Sequence, residues 1–142
     1  DWHATLPPNL IHKGWVDNAP DYIGAADLVI SSTGNTTCAQ VLTAAKPWIV
    51  VPEWRYFDEQ VEKARALGQA GAALHLPHMP SSAHAWRAAV EHAQNLHNPA
   101  RQRALAGGSD AAARTAHWLS RLADRLWDRP EISTSLQEVH HA

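Results

Sequence analysis

The sequence predicts an α/β protein, a parallel sheet with flanking helices followed by further helices, and three observations carry that prediction. Short apolar runs at 9–16, 27–31, 48–52 and 72–76 alternate with helical patterns. The connections between them are short, and right-handed helical crossovers joining parallel strands are the economical way to cover a sheet. The third observation is composition: 142 residues, 45% hydrophobic and 18% charged, with 12 basic and 14 acidic side chains and a formal charge of −2. A chain of this length buries about 68–70% of its unfolded surface and folds without disulfide or metal staples.

Taken in order, NLIHKGWV at 9–16 sets Ile11 and Val16 around a short apolar core and predicts a strand, followed by a turn at Asp17-Asn18-Ala19-Pro20 that opens a short helix. DLVIS at 27–31 is a continuous apolar run, the pattern of a strand covered on both faces. SSTGNTT then leads into a helix reaching Ala45, with Thr33 or Asn35 available as its cap, and Lys46-Pro47 stops it. WIVVP at 48–52 is rich in β-branched residues and predicts a buried strand. Asp58 can cap the next helix, which runs through Val61, Ala64, Arg65 and Leu67 to Gly68 or Gly71; Ala72 to Leu76 predicts a fourth strand. Beyond Pro77 the strands cease. Ser81 or Ser82 can cap a helix whose Trp86, Ala89, Val90 and Ala93 share one side, ending near Asn98-Pro99. After a short helical piece broken by Gly107-Gly108, Ser109 or Asp110 can cap a last helix carrying Trp118, Leu119, Leu122, Leu126 and Trp127 at helical spacing, with the two tryptophans read as core. Arg129-Pro130 ends it. The expected organisation is a single domain over 1–128 and a flexible tail over 129–142.

Several function classes lose support at this level. Near-neutral charge supplies no electrostatic reason for nucleic acid. No apolar run approaches a membrane span and no secretory signal opens the chain, so the expected location is cytoplasmic. Cys38 cannot pair internally and falls inside a helix, where a small buried thiol is inert. His75, His78 and His84 lack the cysteine or carboxylate pattern that would complete a metal set, and no metal is expected.

The residues that point to chemistry lie in loops after successive strands, where parallel sheets bind ligands. SSTGNTTCAQ at 31–40 joins a buried strand to a helix whose first residues are Gly34, Asn35, Thr36 and Thr37. Unpaired N–H groups and the positive end of the helix dipole would face an anion there, Gly34 would admit a phosphate close to the backbone, and the hydroxyls add donors. The same residues could simply cap and turn. Trp15 offers a flat face to a base or else packs in the core. In PEWRYFDEQ at 52–60, Asp58 and Gln60 suit sugar hydroxyls or else cap a helix amid solvated charge.

Taken together, Gly14-Trp15-Val16, the run from Ala26 to Thr37, Lys46 to Pro52, Asp58-Glu59-Gln60 with Lys63-Ala64, and Ala70 to Ala73 resemble the carboxyl-terminal, donor-binding domain of GT-B glycosyltransferases. The likeness is to the MurG-like transferases of glycosyltransferase family 28 and, more distantly, the UDP-glucuronosyltransferases. It runs from about Ile11 to Leu76 and more loosely to Leu126. The resemblance implies a Rossmann-like sheet, here lacking the first strands of that domain. It places Trp15 and Val16 at the uracil, Ser32, Gly34, Asn35, Thr36 and Thr37 at the diphosphate, Gln40 at the ribose, and Asp58, Glu59 and Gln60 at the sugar. Two positions depart from the pattern. Gln40 stands where relatives carry a carboxylate, and Ser32 where they often carry histidine or arginine, so the ribose grip lacks charge and the phosphates lack a cation.

The activity this implies is metal-independent transfer of a hexosyl group from a UDP-sugar to an acceptor hydroxyl, with no cofactor beyond the donor itself. GT-B enzymes place the acceptor and usually the base on an amino-terminal domain, so this chain alone is expected to be incomplete for catalysis and its catalytic residues are unknown. The alternative is a non-catalytic nucleotide-sugar-binding subunit paired with a separate acceptor-binding, membrane-associated subunit, which would bring the chain to the cytoplasmic membrane face. A third reading is a UDP-sugar epimerase or hydrolase. Whether Asp1 is a natural start is left open.

Overall fold

The computed structural model describes residues 7–54 and 57–127. Along them run α1 (Ala19–Ala25), β1 (Val29–Ser31), α2 (Asn35–Ala44), β2 (Trp48–Val50), α3 (Glu59–Gln69), β3 (Leu74–His75), α4 (Ala83–Leu96), α5 (Pro99–Ala106) and α6 (Ala111–Trp127). The three strands form a parallel sheet in sequence order, with Ile30 beside Ile49 and Ile49 beside Leu74.

The middle strand organises the core. Side chains alternate across a strand, so Trp48 and Val50 enter one cluster and Ile49 the other. On the first face they meet Cys38, Val41 and Leu42 of α2 and Ala64 and Leu67 of α3. On the second, Ile49 meets Ala89 and Ala93 of α4, with Trp86 and Val90 against the same cluster. The helical spacing of those four residues puts them on one side, as the sequence predicts. Two crossovers of the same hand moving the same way along the sheet put α2 and α3 on one face, leaving the other to α4. The buried Trp48 indole donates to Ser31 Oγ at 2.9 Å, which satisfies its one polar atom. Gln102 of α5, fully buried, donates through Nε2 to the carbonyls of Lys46 and Ala72, both at 2.8 Å, and so ties α5 to the backbone ahead of β2 and β3.

Several expectations are corrected. Residues 9–16 form no strand: Leu10, Ile11 and Trp15 are exposed, Gly14 has φ +64°, and no strand pairs with them. A strand without a neighbour leaves its backbone groups unpaired, and the four apolar residues of this run, three of them exposed, do not offset that. The described residues therefore hold three strands, not four. β1 is covered on one face only, since Ile30 is 44% exposed. Asp58 occupies the N-cap of α3 but makes no side-chain cap, its backbone being left-handed at φ 51°. Neither Thr33 nor Asn35 caps α2; Gly34 holds that position with no side-chain bond. Ser82 does cap α4, accepting the Ala85 N–H at 3.1 Å.

The chain divides into two compact units at Ala106/Gly107. In the second unit Gly107 (φ +75°) precedes α6, and Asp110 pairs with Arg114 at 3.4 Å. Trp118 and Trp127 are not core: both are exposed, Trp127 by 70%, because a single helix has no facing surface of its own to bury them. The expected helix stop at Arg129-Pro130 and the tail over 129–142 lie outside the described residues.

Candidate functional site

The loop between β1 and α2 is held by residues from well beyond it in sequence. Buried Thr33 donates its hydroxyl to the Gln60 carbonyl at 2.7 Å, and its N–H reaches Gln60 Oε1 at 3.3 Å. The same Oε1 accepts the Glu53 N–H at 3.2 Å. Gln60, only 8% exposed at the start of α3, thereby braces the loop after β1 and the loop after β2 against each other. Lys63, one turn further along α3, donates to the Thr33 carbonyl at 3.2 Å, to Asn35 Oδ1, and to Glu59 Oε1 at 2.9 Å.

These bonds present the start of α2 in a defined setting. The first helical amides lack intrahelical acceptors, and α2 has neither a side-chain cap nor an acidic residue in its first turn. Asn35 and Thr36 are exposed, while Thr37, Ser32 and Gly34 are half-buried. A side chain at Gly34 would meet nothing within 4 Å, so the backbone there is open to close approach. Unpaired N–H groups, a positive dipole end and two threonine hydroxyls make this terminus chemically suited to an oxyanion. Beneath it the Cys38 thiol has its pKa raised, first by burial, with the Lys63 ammonium pulling the other way. The thiol stays protonated and inert at neutral pH.

Of the remaining expected residues, Trp15, Val16 and Gln40 lie outside this braced pair of loops, and Asp58 and Glu59 lie beside Gln60. Trp15 is 92% exposed and donates through Nε1 to Asp17 in its own loop at 3.0 Å, so the core-packing reading of this tryptophan is overturned. Val16 is half-buried. Gln40 lies one turn and a half into α2, where with Pro20, Ala39, Thr43 and Ala44 it lines an open recess of about 360 Å³. Asp58 and Glu59 are exposed at the head of α3. Among the described residues no three His, Cys, Asp or Glu side chains gather as a metal set, and no helix is long and apolar enough to cross a membrane.

The model of the glycosyltransferase family 28 C-terminal domain matches residues 3–115. The chain belongs to this family. Curated relatives include the UDP-N-acetylglucosamine--N-acetylmuramyl-(pentapeptide) pyrophosphoryl-undecaprenol N-acetylglucosamine transferase 1 of Bacillus cereus, 35% identical over 68 residues. That stretch is 47% of this chain and 19% of the relative. The corresponding transferase of Halalkalibacterium halodurans is 33% identical over 69 residues, 48% of this chain and 19% of its own. The matched stretch thus spans about a fifth of these relatives. No solved structure matches.

In this family 28 domain, two residues that hold the loops carry little signal of it in the sequence. Lys63 shows only the i,i+4 spacing to Glu59, which looks like an ordinary surface pair on a helix. Its contacts to Thr33 and Asn35 cross 30 and 28 residues and have no local signature. Thr33 likewise reads as a cap in sequence and serves as a tie in the structure.

Proposed function

We propose that this chain carries the donor site of a glycosyltransferase that moves a hexosyl group from a UDP-sugar to an acceptor hydroxyl. The observation that supports this most directly is the bracing of Thr33, Gln60 and Glu53, which holds two strand-end loops at the uncapped start of α2. In this reading the donor's diphosphate lies on the amides of Asn35 to Thr37 and on the hydroxyls of Ser32, Thr36 and Thr37. Negative charge builds on that diphosphate as the glycosidic bond breaks, and donors fixed beforehand stabilise it without reorganisation. The neighbouring groups divide the rest of the donor: Trp15 and Val16 border the base, Gln40 the ribose, and Asp58, Glu59 and Gln60 the sugar, with Gln60 also ordering the α3 terminus.

No base for the acceptor is assigned to this chain. The acceptor and its base come from another domain or subunit, and docking on that partner brings the site to the cytoplasmic face of the membrane. The named activity of the relatives, transfer of N-acetylglucosamine to a pyrophosphoryl-undecaprenol acceptor, makes a lipid-linked acceptor the natural class to try.

Calorimetric titration with UDP, against GDP and CMP, tests the reading, together with a Thr36→Trp variant that fills the phosphate position from an exposed site. Saturable, UDP-selective binding that the folded variant loses is the expected result. A folded chain that binds none of the three nucleotides overturns it.

A further inference from the structure

We infer that Lys63 makes this site select a nucleoside diphosphate over less charged nucleotides, by exchanging its ion pair with Glu59 for the donor's phosphates. The inference rests on the donor-site reading above and adds the residue that senses the donor's charge.

An ammonium has three N–H donors, and those of Lys63 go to the Thr33 carbonyl, Asn35 Oδ1 and Glu59 Oε1. Two of these acceptors belong to the loop and first residue of α2, so they hold the charge at the helix start. The third acceptor is different. Glu59 is 61% exposed and joined as an i,i+4 surface pair, an interaction worth little in water. Lys63 itself is mostly covered, with 26% of its side chain exposed. Its loop contacts are fixed while its counter-ion is readily exchanged.

The placement is costly unless an anion joins it. A helix start already carries partial positive charge, and cations are favoured at the opposite end. α2 has no acidic residue in its first turn to offset a nearby ammonium. The hydrogen bond from Lys63 to Asn35, the first residue of α2, brings the ammonium to that first turn. A diphosphate supplies what Glu59 supplies only in part: more charge, and oxygens enough to accept from the ammonium and the helical amides together. Ser32 brings no charge to this loop, and Lys63 supplies one from α3.

A role as loop brace alone predicts something different, and the two separate by ligand charge. Chemical-shift titration of the 142-residue chain with UDP, UMP and uridine, repeated for Lys63→Met, Lys63→Arg and Glu59→Gln, makes the comparison. Loss of a charge-assisted bond should weaken UDP binding by about tenfold to a hundredfold in Lys63→Met. UMP should weaken less and uridine not at all, Lys63→Arg should retain the order UDP over UMP over uridine, and Glu59→Gln should tighten UDP by freeing the ammonium. Equal weakening of all three ligands in Lys63→Met, or no change in any, overturns the inference while leaving the donor site standing. Unchanged UDP affinity in Glu59→Gln overturns the exchange. If the unaltered chain binds none of the ligands, both the donor site and the inference fall.

Discussion

The loops that would meet the two ends of a nucleotide are built in opposite ways. Residues 31–37 are tied by Gln60 and Lys63 across 27 to 30 residues of sequence, and Thr33 at their centre is fully buried. Residues 9–17 carry four apolar side chains, Leu10, Ile11, Trp15 and Val16, where 31–37 carries none, yet Trp15 stands bare and its hydrogen bond goes to Asp17, two residues on. The difference shows which half of the proposed site is preorganised. Donors that must stabilise developing charge need fixed positions, whereas a stacking face contributes through contact and can be ordered by the ligand itself.

The contrast can be broken from its strong side first. Gln60→Ala removes the acceptor of the Thr33 and Glu53 amides, and unsatisfied groups of this kind cost about 2–4 kcal/mol together. Urea unfolding should show that loss, and hydrogen exchange should accelerate at Thr33 while the Trp15 loop stays as it was. A midpoint unchanged from the unaltered chain would mean that the brace is incidental. From the weak side, Trp15→Ala should leave stability within about 0.5 kcal/mol, since the ring is exposed. The same variant should lose about 1–3 kcal/mol of UDP binding if the ring stacks on the base. A stability loss with unchanged binding would reverse the assignment of this residue.

The smallest effect sharpens the comparison beneath α2. Burial raises the Cys38 pKa above its ordinary value of 9.0, so the folded chain holds this proton more tightly than the unfolded one. The sign follows from linkage: the associated stability is fully present below pH 9 and is lost as pH rises through the folded value. Unfolding measured from pH 8 to pH 10.5 should show this alkaline decline reduced in Cys38→Ala. Alkylation of Cys38 at pH 8 should also be slower than that of a free thiol, and faster in Gln60→Ala if the brace seals the loop above it.

What was legible follows from the range of the forces involved. β2 is recognisable in Trp48-Ile49-Val50 because a strand buried on both faces is apolar at every position, and α4 in Trp86, Ala89, Val90 and Ala93 because one helical face repeats every three or four residues. The run at 9–16 misled because a short apolar run looks like a strand whether or not a partner strand exists. Trp118 and Trp127 misled in the same way: periodicity marks an apolar stripe but cannot say that another surface covers it. In the site, Gly34, Asn35, Thr36 and Thr37 were readable from their place at a strand-to-helix junction. The caps expected of Thr33, Asn35 and Asp58 were not made, because hydroxyl, amide and carboxylate groups accept whichever partner the fold brings close.

Sequence by itself therefore determined the alternation of parallel strands and helices from Asp27 to Leu76, the burial of β2, and membership of glycosyltransferase family 28. Only the tertiary structure decided that Gln60 braces two loops, that Lys63 brings its charge to Asn35, and that Trp15 faces solvent. The physical reason is locality. Periodicity and propensity describe how a residue stands relative to its neighbours in the chain, whereas the first two outcomes depend on where two crossovers set α3 beside the start of α2, and the third on the lack of a strand to pair with residues 9–16.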